Sequence, residues 1–214
     1  MTETLRITEI FYSLQGESNT VGWPTVFIRL TGCPLRCQYC DTAYAFHGGK
    51  TRTIDEIIGQ VKTYNASYVT VTGGEPLAQK NCFKLLEKLA DMGVSVAVET
   101  SGAINIAEVD SRVTKVMDLK TPGSNEEHRN LYQNIEYLDA KDQVKFVISN
   151  DEDYVWSKAQ LERYQLHKRC DVLFSPCAGT QNSSQLADRI LADRLPVRFQ
   201  LQLHKILWGD VAGR

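Results

Sequence analysis

The sequence predicts an α/β fold in which parallel strands alternate with helices. Short β-rich runs recur along the 214 residues, and segments with the apolar spacing of a helix separate several of them. In such folds ligands gather at the carboxyl ends of the strands, so site residues are expected just after strands. Strands are predicted over residues 25–30, 68–72, 94–100, 115–119, 143–149, 171–175 and 198–203.

Four helices are predicted between these strands. The segment "TIDEIIGQVKTY" opens with Thr53 and has Glu56 three residues later, which together form a capping box. A second helix ends at Gly93, because glycine readily adopts the left-handed conformation of a C-terminal cap. The links at 101–114 and 120–142 are weakly helical or loop-like, so the helical cover is expected to be thin. The helices are predicted over residues 53–64, 77–93, 150–166 and 182–195.

Length, charge and hydropathy limit the class of protein. A chain of 214 residues suits one domain, here residues 1–214. The net charge of −2 at pH 7 predicts no general affinity for nucleic acid or anionic membranes. No apolar run approaches the roughly 20 residues of a membrane-spanning helix, and the N-terminal stretch lacks the pattern of a signal peptide. We therefore expect a cytoplasmic protein without a membrane or nucleic-acid partner.

Three cysteines lie close together directly after the first predicted strand. Cys33, Cys37 and Cys40 form the pattern C-x3-C-x2-C in a loop at 31–50, whereas the other three cysteines are scattered. In a reducing compartment this clustering favours a metal or redox site over disulfides. Two alternatives remain open: a zinc site completed by a distant ligand such as His47, and a 4Fe-4S cluster with one iron left free of protein ligands.

Two motifs resemble the radical S-adenosylmethionine superfamily. The first is the cysteine pattern with Tyr39 before its last cysteine. The second is "VTVTGGEPL", where a strand runs into Gly74 and Glu75. Glycines let a ligand approach the backbone closely, and a carboxylate suits an ammonium group. The resemblance implies a 4Fe-4S cluster whose free iron binds S-adenosylmethionine, with Tyr39 near the adenine and the glycine motif at the methionine end.

Three further stretches resemble a narrower family, the 7-carboxy-7-deazaguanine synthases of queuosine biosynthesis. They are "EIFYSLQGES", "FIRLTGC" and "CDTAYAF", together with the terminal "QLHK". The resemblance implies a lyase that converts 6-carboxy-5,6,7,8-tetrahydropterin into 7-carboxy-7-deazaguanine with loss of ammonia. It implies a 5′-deoxyadenosyl radical, regeneration of S-adenosylmethionine and assistance by Mg²⁺. It also implies an incomplete parallel (β/α) barrel with reduced helical cover, a homodimer and an electron donor such as flavodoxin.

The same resemblance implies the substrate and magnesium contacts. The flat amide-like edge of a pterin suits backbone groups and an amide side chain, and its carboxylate needs a cation. Thr42 is implied as a magnesium ligand, with a capping threonine after Asp41 as the alternative. The implied substrate-binding residues are Leu14, Gln15, Gly16, Arg29 and Thr72.

Cofactor contacts are implied at two further strand ends. The stretches "MDLKTPGS" and "FSPCAG" each follow a predicted strand. Without the resemblance, Lys120 would pass for a solvated lysine and Cys177 for a small buried residue. The implied contacts to S-adenosylmethionine there are Asp118, Leu119, Lys120, Ser175, Pro176, Cys177 and Ala178, in addition to Tyr39, Gly74 and Glu75.

Two other functions remain alternatives at this point. One is an activase that installs a glycyl radical on a partner protein, which would share the cysteines and the glycine motif. The other is a non-catalytic iron–sulfur or zinc module, although a cluster carrier usually has four cysteines. The tail "ILWGDVAGR" runs on beyond "QLHK", where many members of the family end, and the sequence assigns none of its residues to the substrate.

Overall fold

One nine-stranded sheet organises the chain in the computed structural model, which describes residues 3–209 and 211–213. The strands are β1 (Thr4–Leu14), β2 (Pro24–Leu30), β3 (Lys50–Thr53), β4 (Tyr68–Gly73), β5 (Ser95–Thr100), β6 (Thr114–Asp118), β7 (Gln143–Ile148), β8 (Asp171–Pro176) and β9 (Arg198–Phe199). The α-helices are α1 (Ile54–Thr63), α2 (Asn81–Asp91), α3 (Asp151–Arg163), α4 (Ser183–Ala192) and α5 (Leu203–Trp208). Short 3-10 helices cover Ala43–Phe46, Pro76–Ala78, Pro122–Ser124, Glu127–Arg129, Tyr132–Tyr137 and Leu166–Lys168.

The sheet is mostly parallel. Its order is β3-β1-β2-β4-β5-β6-β7-β8-β9, and every pair from β2 to β9 is parallel. Strand β1 is antiparallel to both of its neighbours, β2 and β3. Within the described chain the edge strands β3 and β9 do not pair with each other, so the sheet is not closed. The predicted α/β fold with an incomplete parallel barrel is confirmed.

The helical cover is thin where the sequence predicted it. Between β5 and β6 the described chain forms no helix, and between β6 and β7 it forms only short 3-10 helices. The predicted caps are present. The Thr53 side chain accepts a bond from the Glu56 amide (3.2 Å), and the Glu56 carboxylate accepts one from the Thr53 amide (2.8 Å). Gly93 follows α2 with a φ of 75°, the left-handed value expected of a C-terminal cap.

The sequence prediction missed β1, β3 and α5 and misplaced two element boundaries. Strands β1 and β3 were not predicted, and most of the side chains of β1 from Thr8 onward are half-buried, so the clean alternation that identifies a strand is missing. The second helix begins at Asn81 instead of residue 77, because Pro76–Ala78 is a separate 3-10 helix. The strand predicted over 198–203 ends at Phe199, because the chain then leaves the sheet and the Leu203 amide donates to the Gly16 carbonyl.

The two faces of the sheet have different roles. On β4, Val69 and Val71 belong to the apolar core, which α1 and α2 help to cover, whereas Thr72 faces a cleft on the opposite side. On β7, Val144 and Phe146 likewise face the core and Lys145 faces the cleft. Alternation along each strand therefore supplies both the core and a polar cleft lining. No helix of the described chain is long and apolar enough to cross a membrane.

Candidate active site

A cleft of about 870 Å³ lies at the carboxyl ends of the parallel strands. Its walls are the cysteine loop, the glycines at the end of β4, the ends of β5 to β8, and more distant segments at 14–17, 202–209 and 211–213. This is the location that the strand-end argument predicted. The predicted site residues that line it are Leu14, Gln15, Gly16, Arg29, Cys33, Cys37, Tyr39, Cys40, Thr42, Thr72, Gly74, Asp118, Lys120, Cys177 and Ala178.

The three clustered cysteines form a suitable donor set for a metal cluster. Cys33, Cys37 and Cys40 are partly exposed free thiols on one loop, and all three line the cleft. Burial raises the pKa of the Cys37 thiol to about 11 and also raises the pKa of Cys33, and a bound metal would favour the thiolate form of its cysteine ligands. His47, the candidate fourth zinc ligand, is exposed and does not line the cleft. Three thiolates without a further ligand from this loop suit a 4Fe-4S cluster.

The cysteine loop is fixed by the chain that follows β6. The Arg36 amide donates to the Glu126 carboxylate (2.6 Å), and the Gln38 amide donates to the Ser124 carbonyl (3.1 Å). The Arg36 guanidinium donates back to the Cys33 carbonyl at 2.7 Å. These bonds use backbone groups of the loop and not the sulfur of Cys37 or Cys40.

The glycines at the end of β4, Gly73 and Gly74, allow neighbouring segments to approach each other. A β-carbon on Gly74 would lie 2.3 Å from the Gly32 carbonyl oxygen and 2.6 Å from the Cys33 β-carbon. Gly73 has a φ of 150°, and a β-carbon there would lie 2.3 Å from the Leu30 carbonyl oxygen. The sequence predicted that these glycines let a ligand approach the backbone. The structure adds a second reason, since Gly74 also packs against the cysteine loop.

The Glu75 carboxylate does not line the cleft. It is fully buried and accepts bonds from the Leu77 amide (3.0 Å), the Thr100 hydroxyl (3.0 Å), and the amide (2.6 Å) and hydroxyl of Ser101. These bonds join the end of β4 to the end of β5. The assignment of Glu75 to cofactor binding stays a prediction, and its carboxylate oxygens are already used within the fold.

Two predicted substrate residues converge on a carboxylate that the sequence analysis missed. The Gln15 amide nitrogen lies 3.3 Å from one Glu99 oxygen, and the Thr72 hydroxyl donates to the other at 2.9 Å. Gln15 also donates to the Thr70 hydroxyl at 3.1 Å. Burial raises the pKa of Glu99, and the nearby Glu17 raises it further. A carboxylate near the end of the otherwise apolar strand "VSVAVET" was the signal that could have identified it.

Arg29 faces the cleft and lies beside two aromatic rings. Its Nε donates to the Glu9 carboxylate at 2.7 Å, and the Tyr44 hydroxyl donates to the same oxygen at 2.7 Å. The guanidinium carbon lies 5.7 Å from the ring centroid of Phe11 and 5.8 Å from that of Tyr44. The bond to Glu9 uses one of the five donors of a guanidinium, which leaves Arg29 able to bind an anion.

The strand ends implied as cofactor contacts are only partly in the cleft. Asp118 and Lys120 line it and form an ion pair at 3.1 Å, whereas Leu119 is buried beneath them. At the end of β8, Cys177 and Ala178 line the cleft, and Ser175 and Pro176 do not, because β8 buries both. Tyr39 lines the cleft as well, with its hydroxyl 3.4 Å from the Thr121 hydroxyl.

Thr42 is oriented by its neighbour. Its hydroxyl donates to one Asp41 oxygen at 2.8 Å, and Lys205 pairs with the other oxygen at 3.3 Å. Because the proton points to Asp41, the lone pairs of the Thr42 oxygen remain available to a cation.

The C-terminal segment closes one wall of the cleft. The Leu203 amide donates to the Gly16 carbonyl at 2.9 Å, and Gln202 donates to Glu17 at 2.9 Å. A β-carbon on Gly16 would lie 2.1 Å from His204 Nδ1, so this contact requires glycine. Tail residues Gly209, Val211, Ala212 and Gly213 also line the cleft, which the sequence did not predict.

Comparisons with known proteins agree with this geometry. The Radical SAM superfamily model matches residues 27–120. The chain is 42% identical to the 7-carboxy-7-deazaguanine synthase of Chlorobaculum tepidum, over 97% of this chain and 96% of that protein. It is 40% identical to the synthase of the same name from Koribacter versatilis (95% and 97% covered) and 38% identical to that of Thermoplasma acidophilum (97% and 99% covered).

Solved structures support the fold. The crystal structure of QueE from Escherichia coli aligns with a TM-score of 0.78 over 94% of this chain and 95% of that chain, at 22% identity. Streptococcus suis SuiB bound to S-adenosylmethionine aligns with a TM-score of 0.56 over 80% of this chain and 45% of that chain, at 13% identity. At these identities the likeness concerns the fold alone.

Proposed function

Since the chain belongs to the 7-carboxy-7-deazaguanine synthase family, we propose that it converts 6-carboxy-5,6,7,8-tetrahydropterin into 7-carboxy-7-deazaguanine with loss of ammonia. It is a radical S-adenosylmethionine enzyme of the lyase class. The observation that carries the proposal is one cleft lined by both the C-x3-C-x2-C thiols and the polar group around Glu99. The activase and the non-catalytic module are not favoured, because the relatives that are 38–42% identical over nearly the whole chain are named 7-carboxy-7-deazaguanine synthases.

The cysteine side of the cleft suits the cofactors. Cys33, Cys37 and Cys40 would hold a 4Fe-4S cluster, and Asp118 and Lys120 would contact S-adenosylmethionine beside it. When bound, the cluster and S-adenosylmethionine supply the one-electron chemistry that starts the ring contraction. The protein fixes the cysteine loop, orients the substrate and excludes water from the cleft.

The polar group around Glu99 suits the edge of the pterin. A 2-amino-4-oxo pyrimidine edge presents two adjacent N–H donors, and a carboxylate can accept both side by side. Glu99 uses only part of its accepting capacity on Gln15 and Thr72. Donors from the substrate would offset the burial that raises the Glu99 pKa. We assign recognition of this edge to Glu99, held in place by Gln15 and Thr72.

The substrate carboxylate needs cations at the other side of the cleft. Arg29 can pair with it, and the Thr42 oxygen, whose proton is directed to Asp41, would hold Mg²⁺, which would supply further positive charge for the carboxylate. Mg²⁺ commonly binds through one or two protein oxygens and completes its shell with substrate and water.

Partners and location are proposed on the family resemblance. We propose a homodimer, an electron donor such as flavodoxin, and a cytoplasmic location.

The decisive experiment is turnover by the anaerobically reconstituted protein. With the carboxy-tetrahydropterin, S-adenosylmethionine, Mg²⁺ and a reductant, we expect 7-carboxy-7-deazaguanine and ammonia to form in equal amounts, with little net loss of S-adenosylmethionine. A chelator should lower the rate. Unchanged pterin beside active cleavage of S-adenosylmethionine would support the activase, and a colourless protein that contains only zinc would support the non-catalytic module.

Glu99→Gln is expected to lower kcat/KM for the pterin by about 10- to 100-fold, the cost of a lost charge-assisted hydrogen bond. The side-chain amide of this variant presents an N–H group to the N–H donors of the substrate, so a hydrogen bond to the substrate is lost. Steady-state kinetics measure the effect, with the exposed Glu108→Gln as the matched control. Equal kcat/KM for Glu99→Gln and wild type would remove Glu99 from substrate recognition.

A further inference from the structure

Lys145 is a mostly buried cation at the junction of the two predicted subsites. It lies on β7 with a side chain 16% exposed, and it faces the cleft. Its Nζ lies 2.7 Å from the Glu17 carboxylate and 3.6 Å from that of Asp118. Glu17 directly follows the predicted substrate segment, and Asp118 is the register partner of Lys145 on β6. One side chain therefore joins the substrate loop to the strand implied as a cofactor contact.

The charges around Lys145 explain why a cation is needed there. Three carboxylates, those of Glu17, Glu99 and Asp118, act on Lys145. Lys120 supplies a second cation on the Asp118 side, at 3.1 Å. Without Lys145, the buried Glu17 carboxylate would face Glu99 without an opposite charge in contact with it. Burial of an unpaired charge is costly, and two like charges add to that cost.

Other groups near Glu17 do not replace Lys145. Gln202 donates a neutral hydrogen bond to the second Glu17 oxygen at 2.9 Å. His204 also faces Glu17, but its own burial lowers the His204 pKa and favours its neutral form. Arg29 is already paired with Glu9, and Lys205 with Asp41.

We propose that Lys145 is a positioning residue that holds Glu17, and with it the substrate segment 14–16, against β6. The proposal rests on the proposed function, because it gives segment 14–16 the pterin as its ligand. Lys145 need not touch the reacting atoms. Its role is to hold the Gln15 side chain where it can contact the substrate, and the Gly16 carbonyl where it accepts the bond from the Leu203 amide of the C-terminal segment.

Removal of Lys145 should make substrate binding depend on pH. Burial opposes ionisation of Glu17, but Lys145 outweighs it and the pKa of Glu17 is lowered in the wild type. Glu17 is therefore ionised and paired throughout the neutral range. Without Lys145, burial and Glu99 raise the Glu17 pKa instead. An ionised, unpaired Glu17 would then work against the bonds that hold segment 14–16, so activity should fall as the pH rises through that raised pKa.

The test is the pH profile of kcat/KM for the pterin in reconstituted full-length Lys145→Met. We expect a loss of at least about tenfold at pH 8 that recovers as the pH is lowered, by at most tenfold for each pH unit. Wild type should lack this dependence. The double variant Glu17→Gln/Lys145→Met should lose it too, since no carboxylate remains to be protonated, and should regain part of the activity at pH 8.

Lys115→Met is the matched control. Lys115 is also a buried lysine on the sheet, paired with Asp142 at 2.8 Å, but it does not line the cleft. This variant should lose stability and keep the wild-type pH profile.

Two results would overturn the proposal: a Lys145→Met profile parallel to that of the wild type, or a double variant that keeps the pH dependence. If Lys145→Met does not fold, Glu17→Gln serves in its place. It should raise KM for the pterin and leave the affinity for S-adenosylmethionine unchanged, and an equal effect on both ligands would contradict the proposal. A wild type that makes no product from the pterin would instead refute the proposed function.

Discussion

Cys37→Ala is expected to abolish the bound cluster and lower turnover to less than about one-thousandth of wild type, because the cofactor carries the radical chemistry. The fold should survive. The cysteine loop is held by backbone bonds from Arg36 and Gln38 to the chain after β6, and none of them uses the Cys37 sulfur. Iron and sulfide content per chain and the product assay measure the two effects. The bound cluster and the turnover should be lost together.

A buried cysteine outside the cleft provides the control. Cys82 lies in α2 with no exposed surface. Cys82→Ala should lower the free energy of unfolding by about 1 kcal/mol through the small cavity it leaves. Its iron content and turnover should match those of the wild type. If Cys37→Ala retained full iron content and turnover, a different set of ligands would hold the metal, and the assignment of the cysteine pattern would be wrong.

The parallel part of the sheet could be predicted because its strands are marked locally. Each lies between glycine, polar or capping residues, as Thr53 and Gly93 illustrate for the helices that separate them. Strand β1 escaped prediction because apolar and polar residues do not alternate in its second half, where Ile10, Phe11 and Tyr12 follow one another and most side chains are half-buried. The strand predicted over 198–203 failed because a tertiary contact, Leu203 with Gly16, draws the chain away from the sheet.

The candidate site, like the fold, could be predicted only in part from the sequence. Its cysteines lie within eight residues, so their spacing alone identified them. Gln15 and Thr72 were implied one by one through the family resemblance, but their common partner Glu99 emerged only when β4 and β5 were placed side by side. Lys145 resembles an ordinary lysine within a strand until its contact with Glu17 is seen. Interactions between distant strands carry no local pattern in the sequence.

Glu75→Ala is expected to lower the free energy of unfolding by about 3–5 kcal/mol, because several buried hydrogen-bond donors would lose their acceptor at a cost of roughly 1–3 kcal/mol each. The substitution would leave the donors of Leu77, Thr100 and Ser101 buried without an acceptor. Chemical denaturation of wild type and variant at equal metal loading measures the loss. Glu87→Ala, on the exposed face of α2, should change stability by less than about 0.5 kcal/mol.

The same substitution should also weaken the cluster site, although Glu75 lies outside the cleft. Its carboxylate fixes the turn that contains Gly74, and Gly74 packs directly against Gly32 and Cys33. Freed from Ser101, that turn would no longer support the cysteine loop, so cluster loss should accompany the loss of stability. Glu75→Gln separates the two possible roles, because it keeps the size of the side chain and part of its accepting capacity. If Glu75→Gln kept stability and cluster content but weakened binding of S-adenosylmethionine, Glu75 would act on the cofactor and not on the turn.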